Sequence, residues 1–139
     1  MIDVAAGKQT SSLDHGGAHS NFPMAVDAEA HRLLVATRSP ARLMAFATQD
    51  GKQVASLETC RDSDDLFVDV RRQRVYVTCG EGVVEVFAQR GGTYRSIGRV
   101  PTVSGARTSW FSADADRLYV GVRASGSEPA ALWIFRPVP

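Results

Sequence analysis

The sequence predicts an all-β chain built from repeated four-stranded antiparallel sheets, and three observations carry that prediction. One short phrase recurs: V-D-A-E-A-H-R-L-L-V-A-T from Val26, V-D-V-R-R-Q-R-V-Y-V-T-C from Val68 and F-S-A-D-A-D-R-L-Y-V-G-V from Phe111. Its arginines, Arg32, Arg74 and Arg117, stand 42 and 43 residues apart. Each arginine opens an alternating apolar run whose β-branched content suits a half-buried strand. Turn signals such as Ser39-Pro40, Asp50-Gly51 and Gly91-Gly92 separate the runs. A period in the low forties with four short strands per unit is the pattern of β-propeller blades.

The elements follow in order. Blade 1 covers residues 22–57, with an inner strand at Met24–Val26, a polar turn over Asp27–Arg32 and a second strand at Leu33–Thr37. Leu43–Phe46 forms the third strand, Asp50-Gly51 a tight hairpin turn, and Gln53–Leu57 the outer strand. Blade 2, residues 66–100, repeats this as Leu66–Val70, Val75–Thr78, Val83–Phe87 and Tyr94–Val100. Blade 3, residues 109–135, supplies Trp110–Ser112, Leu118–Val122 and Leu132–Phe135, and lacks an outer strand.

The beginning of the chain holds what blade 3 lacks. Ala6-Gly7-Lys8-Gln9 followed by Leu13 matches Asp50-Gly51-Lys52-Gln53 followed by Leu57, at a constant offset of 44. Residues 1–13 therefore read as the end of a third strand, a turn and an outer strand. Three blades do not close a ring, since propellers typically have about four to eight. The expectation is a half-propeller: a homodimer with six blades, in which each N-terminal strand completes the partner's last blade and removes an exposed edge. The alternative is a structural fragment of a larger propeller.

The segments R-V-Y-V-T from Arg74 and R-L-Y-V-G from Arg117, with D-G-K-Q-V from Asp50, resemble the YVTN-type bacterial β-propeller repeat. That resemblance implies a propeller used as a binding platform, a surface protein or part of an enzyme, in a periplasmic or secreted setting. The sequence itself carries no signal peptide and is equally compatible with the cytoplasm. Lactonase-type propellers are a related class and imply a metal in the central channel.

Composition narrows the function classes. A formal net charge of +1, without a basic run longer than Arg71-Arg72, leaves no nucleic-acid footprint. No apolar run approaches a membrane-spanning length. Cys60 and Cys79 lack the C-x-x-C spacing of zinc or redox motifs. Antiparallel topology brings their strand ends to one face, so a disulfide is sterically allowed, but two free, half-buried thiols are the favoured reading.

The candidate site is the channel mouth. Loops running from an outer strand into the next inner strand converge there, over Asp14–Phe22, Cys60–Asp65 and Val103–Ser109. Their densest polar positions are His19, Asn21, Asp64, Asp65, Arg107 and Thr108, read as a site for a small-molecule or protein ligand. His15 and His19, joined by Gly-Gly-Ala, together with Asp64 form a two-imidazole, one-carboxylate set suited to a divalent metal. That set supports the rival reading, a lactonase-like metal-dependent hydrolase. No G-x-S-x-G elbow or phosphate-binding glycine loop is present. Tyr76, Trp110, Phe111, Tyr119, Trp133 and Phe135 fall on strands and read as core. His31, in the turn beside Arg32, reads as surface.

Overall fold

The recurring phrase is a turn with one hydrogen-bond pattern. In the computed structural model, which describes residues 2–3, 5–14 and 16–139 (the backbone alone for Ile2, Asp3, Asn21 and Phe22), the same contact appears three times. Asp27 Oδ1 accepts from the Ala30 N–H at 2.9 Å, Asp69 Oδ1 from Arg72 at 3.2 Å, and Ser112 Oγ from Ala115 at 3.1 Å. The next residue in each copy is left-handed: His31 with φ 55°, Gln73 with φ 52° and Asp116 with φ 54°. A short polar side chain thus satisfies an N–H while the left-handed residue reverses the chain. The recurring arginine then opens the following strand. Its guanidinium holds nearby carbonyls: Arg32 that of His31, and Arg117 those of Ala115 and Asp116. Arg74 instead reaches Val138 O at 2.6 Å.

Three antiparallel sheets follow one another along the chain. Blade 1 is β3 (His19–Asp27), β4 (Arg32–Ser39), β5 (Ala41–Ala47) and β6 (Gln53–Glu58), in that spatial order. Blade 2 is β7 (Ser63–Asp69), β8 (Arg74–Cys79), β9 (Val83–Arg90) and β10 (Thr93–Pro101), with a single 3₁₀ turn at Val70–Arg72. Blade 3 has three strands: β11 (Thr108–Ser112), β12 (Arg117–Val122) and β13 (Ala131–Phe135). A short N-terminal hairpin pairs β1 (Ile2–Asp3) with β2 (Lys8–Gln9). The all-β, propeller-like architecture is the one the repeats predicted. Among the described residues no helix is long and apolar enough to cross a membrane.

Alternation along each strand sends one set of side chains to the preceding sheet and the other to the following sheet. Leu34, Ala36, Leu43 and Ala45 of blade 1 pack against Leu66, Val75, Val77 and Phe87 of blade 2. The opposite face of blade 2 sends Tyr76 and Val84 against Phe111, Leu118 and Val120 of blade 3. Tyr76 and Phe111 meet edge to face, with centroids 5.2 Å apart. Fully burying such a side chain is worth about 1.5–3 kcal/mol. These two cores therefore lie between sheets, while a third buried cluster, Val35, Met44 and Phe46 with Ala18, lies on the other face of blade 1.

Two expectations are corrected. Cys60 and Cys79 are not free thiols: they form a disulfide with Cα atoms 5.9 Å apart, and both are buried. Cys79 ends β8 opposite Ser63 of β7, so the bond pins the crossover from blade 1 onto blade 2. The aromatic residues are not uniformly core either. Tyr76 and Phe111 are buried, whereas Trp110 and Trp133 are exposed. His31 is exposed, as expected of a turn residue.

Candidate functional site

The side of the sheets where inner strands begin carries the polar cluster. Much of what reads as loop there is strand: β3, β7 and β11 start at His19, Ser63 and Thr108. In the first two of these strands a register shift falls close to the start, between Asn21 and Met24 and between Ser63 and Asp65. Just before or within each start stands a second recurring left-handed residue: Ser20 with φ 58°, Asp62 with φ 59° and Gly105 with φ 83°. The three positions repeat at the same 42- and 43-residue spacing, so the incoming chain bends alike in every blade.

Asp62 is the hub. Its carboxylate takes an ion pair from Arg38 Nη1 at 3.1 Å and another from Arg107 Nη1 at 3.0 Å. Arg38 stands one residue before the end of the second strand of blade 1, and it also donates to Ser63 O at 2.9 Å and to Asp64 Oδ1 at 2.6 Å. Arg107 precedes the first strand of blade 3. Residues of three blades thus meet in one ladder of alternating charge. The backbone ties the same level together, since Gly80 N donates to Asp62 O at 2.8 Å and Gly105 N to Gly80 O at 2.7 Å. A Cβ on Gly80 would meet the Asp62 carboxylate, which would then have to move out of its present place.

Asp65 lies beside this ladder. Its Oδ2 accepts from Ser109 N at 2.6 Å, and Ser109 Oγ continues to Thr78 Oγ1 at 2.7 Å. Burial pushes the Asp65 carboxyl above its ordinary value, and the Asp64 charge adds to the rise, against the lowering effect of the Ser109 N–H. The Ser63 hydroxyl is buried and makes no hydrogen bond among the described residues. A buried hydroxyl without a partner normally finds water or a ligand group.

Of the residues singled out from the sequence, Asp64, Asp65 and Arg107 come together here. Thr108 opens β11 opposite Gly121 and is exposed. His19 is exposed and lies across from Ser39, the neighbour of Arg38. Asn21 pairs with Thr37 through the backbone. His15 lies outside the described residues. Among the described residues, no side-chain contact joins His19 to Asp64, and no three of His, Cys, Asp or Glu are grouped to hold an ion. Sequence reasoning missed Arg38 and the central position of Asp62. A signal existed for Arg38, which shares its repeat position with Gly80 and Arg123.

Comparison with known proteins bears on the fold. No family profile and no curated protein matches the chain. Solved structures do. Hydrazine synthase of Kuenenia stuttgartiensis superposes with a TM-score of 0.82 at 15% identity, over 97% of this chain and 38% of that one. A candidate 6-phosphogluconolactonase from Bacteroides uniformis gives a TM-score of 0.69 at 15% identity, over 86% and 37% of the two chains. A chain of the mitotic checkpoint complex gives 0.67 at 12% identity, over 83% and 36%. All three are propeller-like. This chain has a propeller-like fold. It spans little more than a third of each of those chains, and likeness at such identity speaks for architecture only.

Proposed function

We propose that this protein is a binding scaffold of the β-propeller type whose ligand meets the Arg38–Asp62–Arg107 ladder and its neighbours Asp64 and Asp65. The observation that carries this reading is the convergence of two guanidiniums and three carboxylates from three successive blades, partly open to solvent. A cluster with both signs of charge suits a ligand that also carries both, such as an amino acid or the backbone of a peptide terminus. The unpartnered Ser63 hydroxyl adds a donor or acceptor at the same level. The R-V-Y-V-T and R-L-Y-V-G segments support the finer reading of the repeats as YVTN-type. The buried Cys60–Cys79 disulfide supports an oxidising compartment as the place of work.

The hydrolase reading is weaker on these residues. Asp64, its proposed metal ligand, is already held by Arg38 at 2.6 Å, and a divalent ion would have to displace that guanidinium. Thermal-shift measurement with a panel of free amino acids and dipeptides tests the scaffold reading. A saturable rise in Tm that disappears in an Asp64→Ala, Arg107→Ala variant is expected. A flat response to every probe counts against it, and stoichiometric metal in protein purified without added metal would favour the hydrolase.

A further inference from the structure

Arg61 and Asp62 sit between two fastenings, and both fastenings end on the same residue. Before them, Cys60 is bonded through sulfur to Cys79. After them, Ser63 pairs with Cys79 as the end rung of the β7–β8 ladder. The residues that follow Cys79 close over the span, since Gly80 N donates to Asp62 O at 2.8 Å and Glu81 N to Arg61 O at 3.4 Å. Residues 60–63 are thus clamped onto residues 79–81 by one covalent bond and a few backbone hydrogen bonds.

Those backbone bonds hold the span weakly by themselves. The β7–β8 ladder shifts register between Ser63 and Asp65, so the Ser63–Cys79 rung stands apart from the regular pairing that starts at Asp65 and Thr78. A bulge of this kind disrupts the ladder beside it. Asp62 is left-handed with φ 59°, a conformation that a residue other than glycine keeps only where its surroundings hold it. On the blade 1 side the Thr59 N–H donates to Ala41 O at 3.2 Å. One residue later the sulfur bridge carries that anchored end onto β8.

What the clamp presents is the Asp62 carboxylate, which pairs with Arg38 of blade 1 and Arg107 of blade 3. From Gly80 O the contacts continue to Gly105 N, two residues before Arg107. We infer that the Cys60–Cys79 bond positions Asp62, so that the recognition site is complete only in the oxidised chain. The dependence of binding on the bond rests on the ligand reading above; the placing of Asp62 rests on the clamp alone. Reduction by a dithiol transfers two electrons and two protons, leaving two thiols here and the reductant as its own cyclic disulfide. Both half-cystines are buried, so a reductant meets them only when the crossover opens. Recognition thereby becomes a property of chains folded where thiols oxidise.

Amide hydrogen exchange read by NMR tests the placing of Asp62. Wild type is compared with Cys60→Ala, Cys79→Ala and with Arg72→Ala, whose lost contacts to Asp69 and Asp116 lie away from the crossover. The Gly80 and Gly105 amides should exchange about tenfold faster in the cysteine variant, because the span then opens locally, and at wild-type rates in Arg72→Ala. Equal rates in wild type and the cysteine variant overturn the inference, as does an equal rise in Arg72→Ala. If the cysteine variant does not fold, the reciprocal measurement keeps the bond. In Asp62→Ala the ratio of reduced to oxidised dithiothreitol that half-reduces the bond should fall about tenfold, because coupling acts both ways. An unchanged ratio breaks the link.

Calorimetric titration with free amino acids and dipeptides reads the functional half. A probe that binds wild type should bind the cysteine variant about tenfold more weakly, since the site is no longer held in its binding geometry. Equal affinity overturns the dependence of recognition on the bond. No binding to wild type sinks the ligand reading instead, and the exchange rates then decide the placing of Asp62.

Discussion

Arg72 grips Asp116 through two parallel hydrogen bonds, 2.7 and 2.9 Å long, and so joins the hairpin turn of blade 2 to that of blade 3. The same guanidinium donates to buried Asp69 at 2.9 Å and to Pro137 O at 3.3 Å. Asp69 also accepts from the Tyr76 hydroxyl at 2.8 Å, and this environment, burial first, holds the Tyr76 phenol far above its ordinary value. One arginine therefore organises a turn, a buried carboxylate and a blade contact at once.

Replacing Arg72 with alanine should destabilise the protein by about 1–3 kcal/mol, the usual cost of leaving a buried acceptor under-satisfied. Arg72→Lys should recover only part of this, because an ammonium cannot make the forked pair with Asp116. Urea unfolding with an unchanged m-value would read the difference. Equal stability of the alanine variant and the parent would remove Arg72 from this role.

Acid should probe two carboxylates with opposite signs. Hydrogen bonding to Arg72 lowers the Asp116 carboxyl below its ordinary value, so its stabilising effect is full above about pH 5 and is lost as pH falls through the folded value. The Tm gap between wild type and Asp116→Asn should stay constant from neutral pH to about pH 5 and then narrow. Asp65 is raised by burial, so its charged form costs stability as pH climbs through the folded value. Asp65→Asn should gain on wild type over that rise. Thermal melts across an acid series decide both, and parallel pH profiles for all three proteins would contradict them.

The architecture was legible because the same turn is written three times. The capping Asp27, Asp69 and Ser112, the left-handed residue and the arginine recur at fixed positions, and the strands they launch alternate cleanly. The starts of the inner strands were hidden because register shifts at Asn21–Met24 and Ser63–Asp65 break that alternation with polar residues. The disulfide was hidden because its partners lie 19 residues apart on different elements and share no motif. Arg72 and Arg38 escaped notice for a different reason. Each makes contacts whose partners are set by the stacking of successive blades, which periodicity within one blade does not reveal.

The disulfide should contribute strongly. Closing a loop of this size is worth about 3 kcal/mol by chain-entropy reasoning. Cys60→Ser combined with Cys79→Ser should lower the unfolding free energy by that amount, read as a lower denaturation midpoint. Reducing agent should shift wild type toward the double variant and leave the variant unmoved. A wild-type midpoint indifferent to reduction under unfolding conditions would show that the bond does not hold this crossover.

Gly80→Ala tests the site without removing any charged group. The added methyl would collide with the Asp62 carboxylate and would lie 3.4 Å from Arg107 Nε. Asp62 should swing out from between Arg38 and Arg107, breaking the ladder that links the three blades. Because these pairs are partly exposed, stability should fall by only about 0.2–1 kcal/mol. Affinity for the amino-acid or dipeptide probe should fall by a larger factor, about tenfold or more, which at 1.4 kcal/mol per decade exceeds the stability loss. Gly98→Ala, where the methyl would meet open space, is the matched control and should change neither quantity. Calorimetric titration of the three proteins separates the outcomes. Intact probe binding in Gly80→Ala would place recognition away from the Asp62 hub, and a loss shared by Gly98→Ala would trace it to general softening of the sheets.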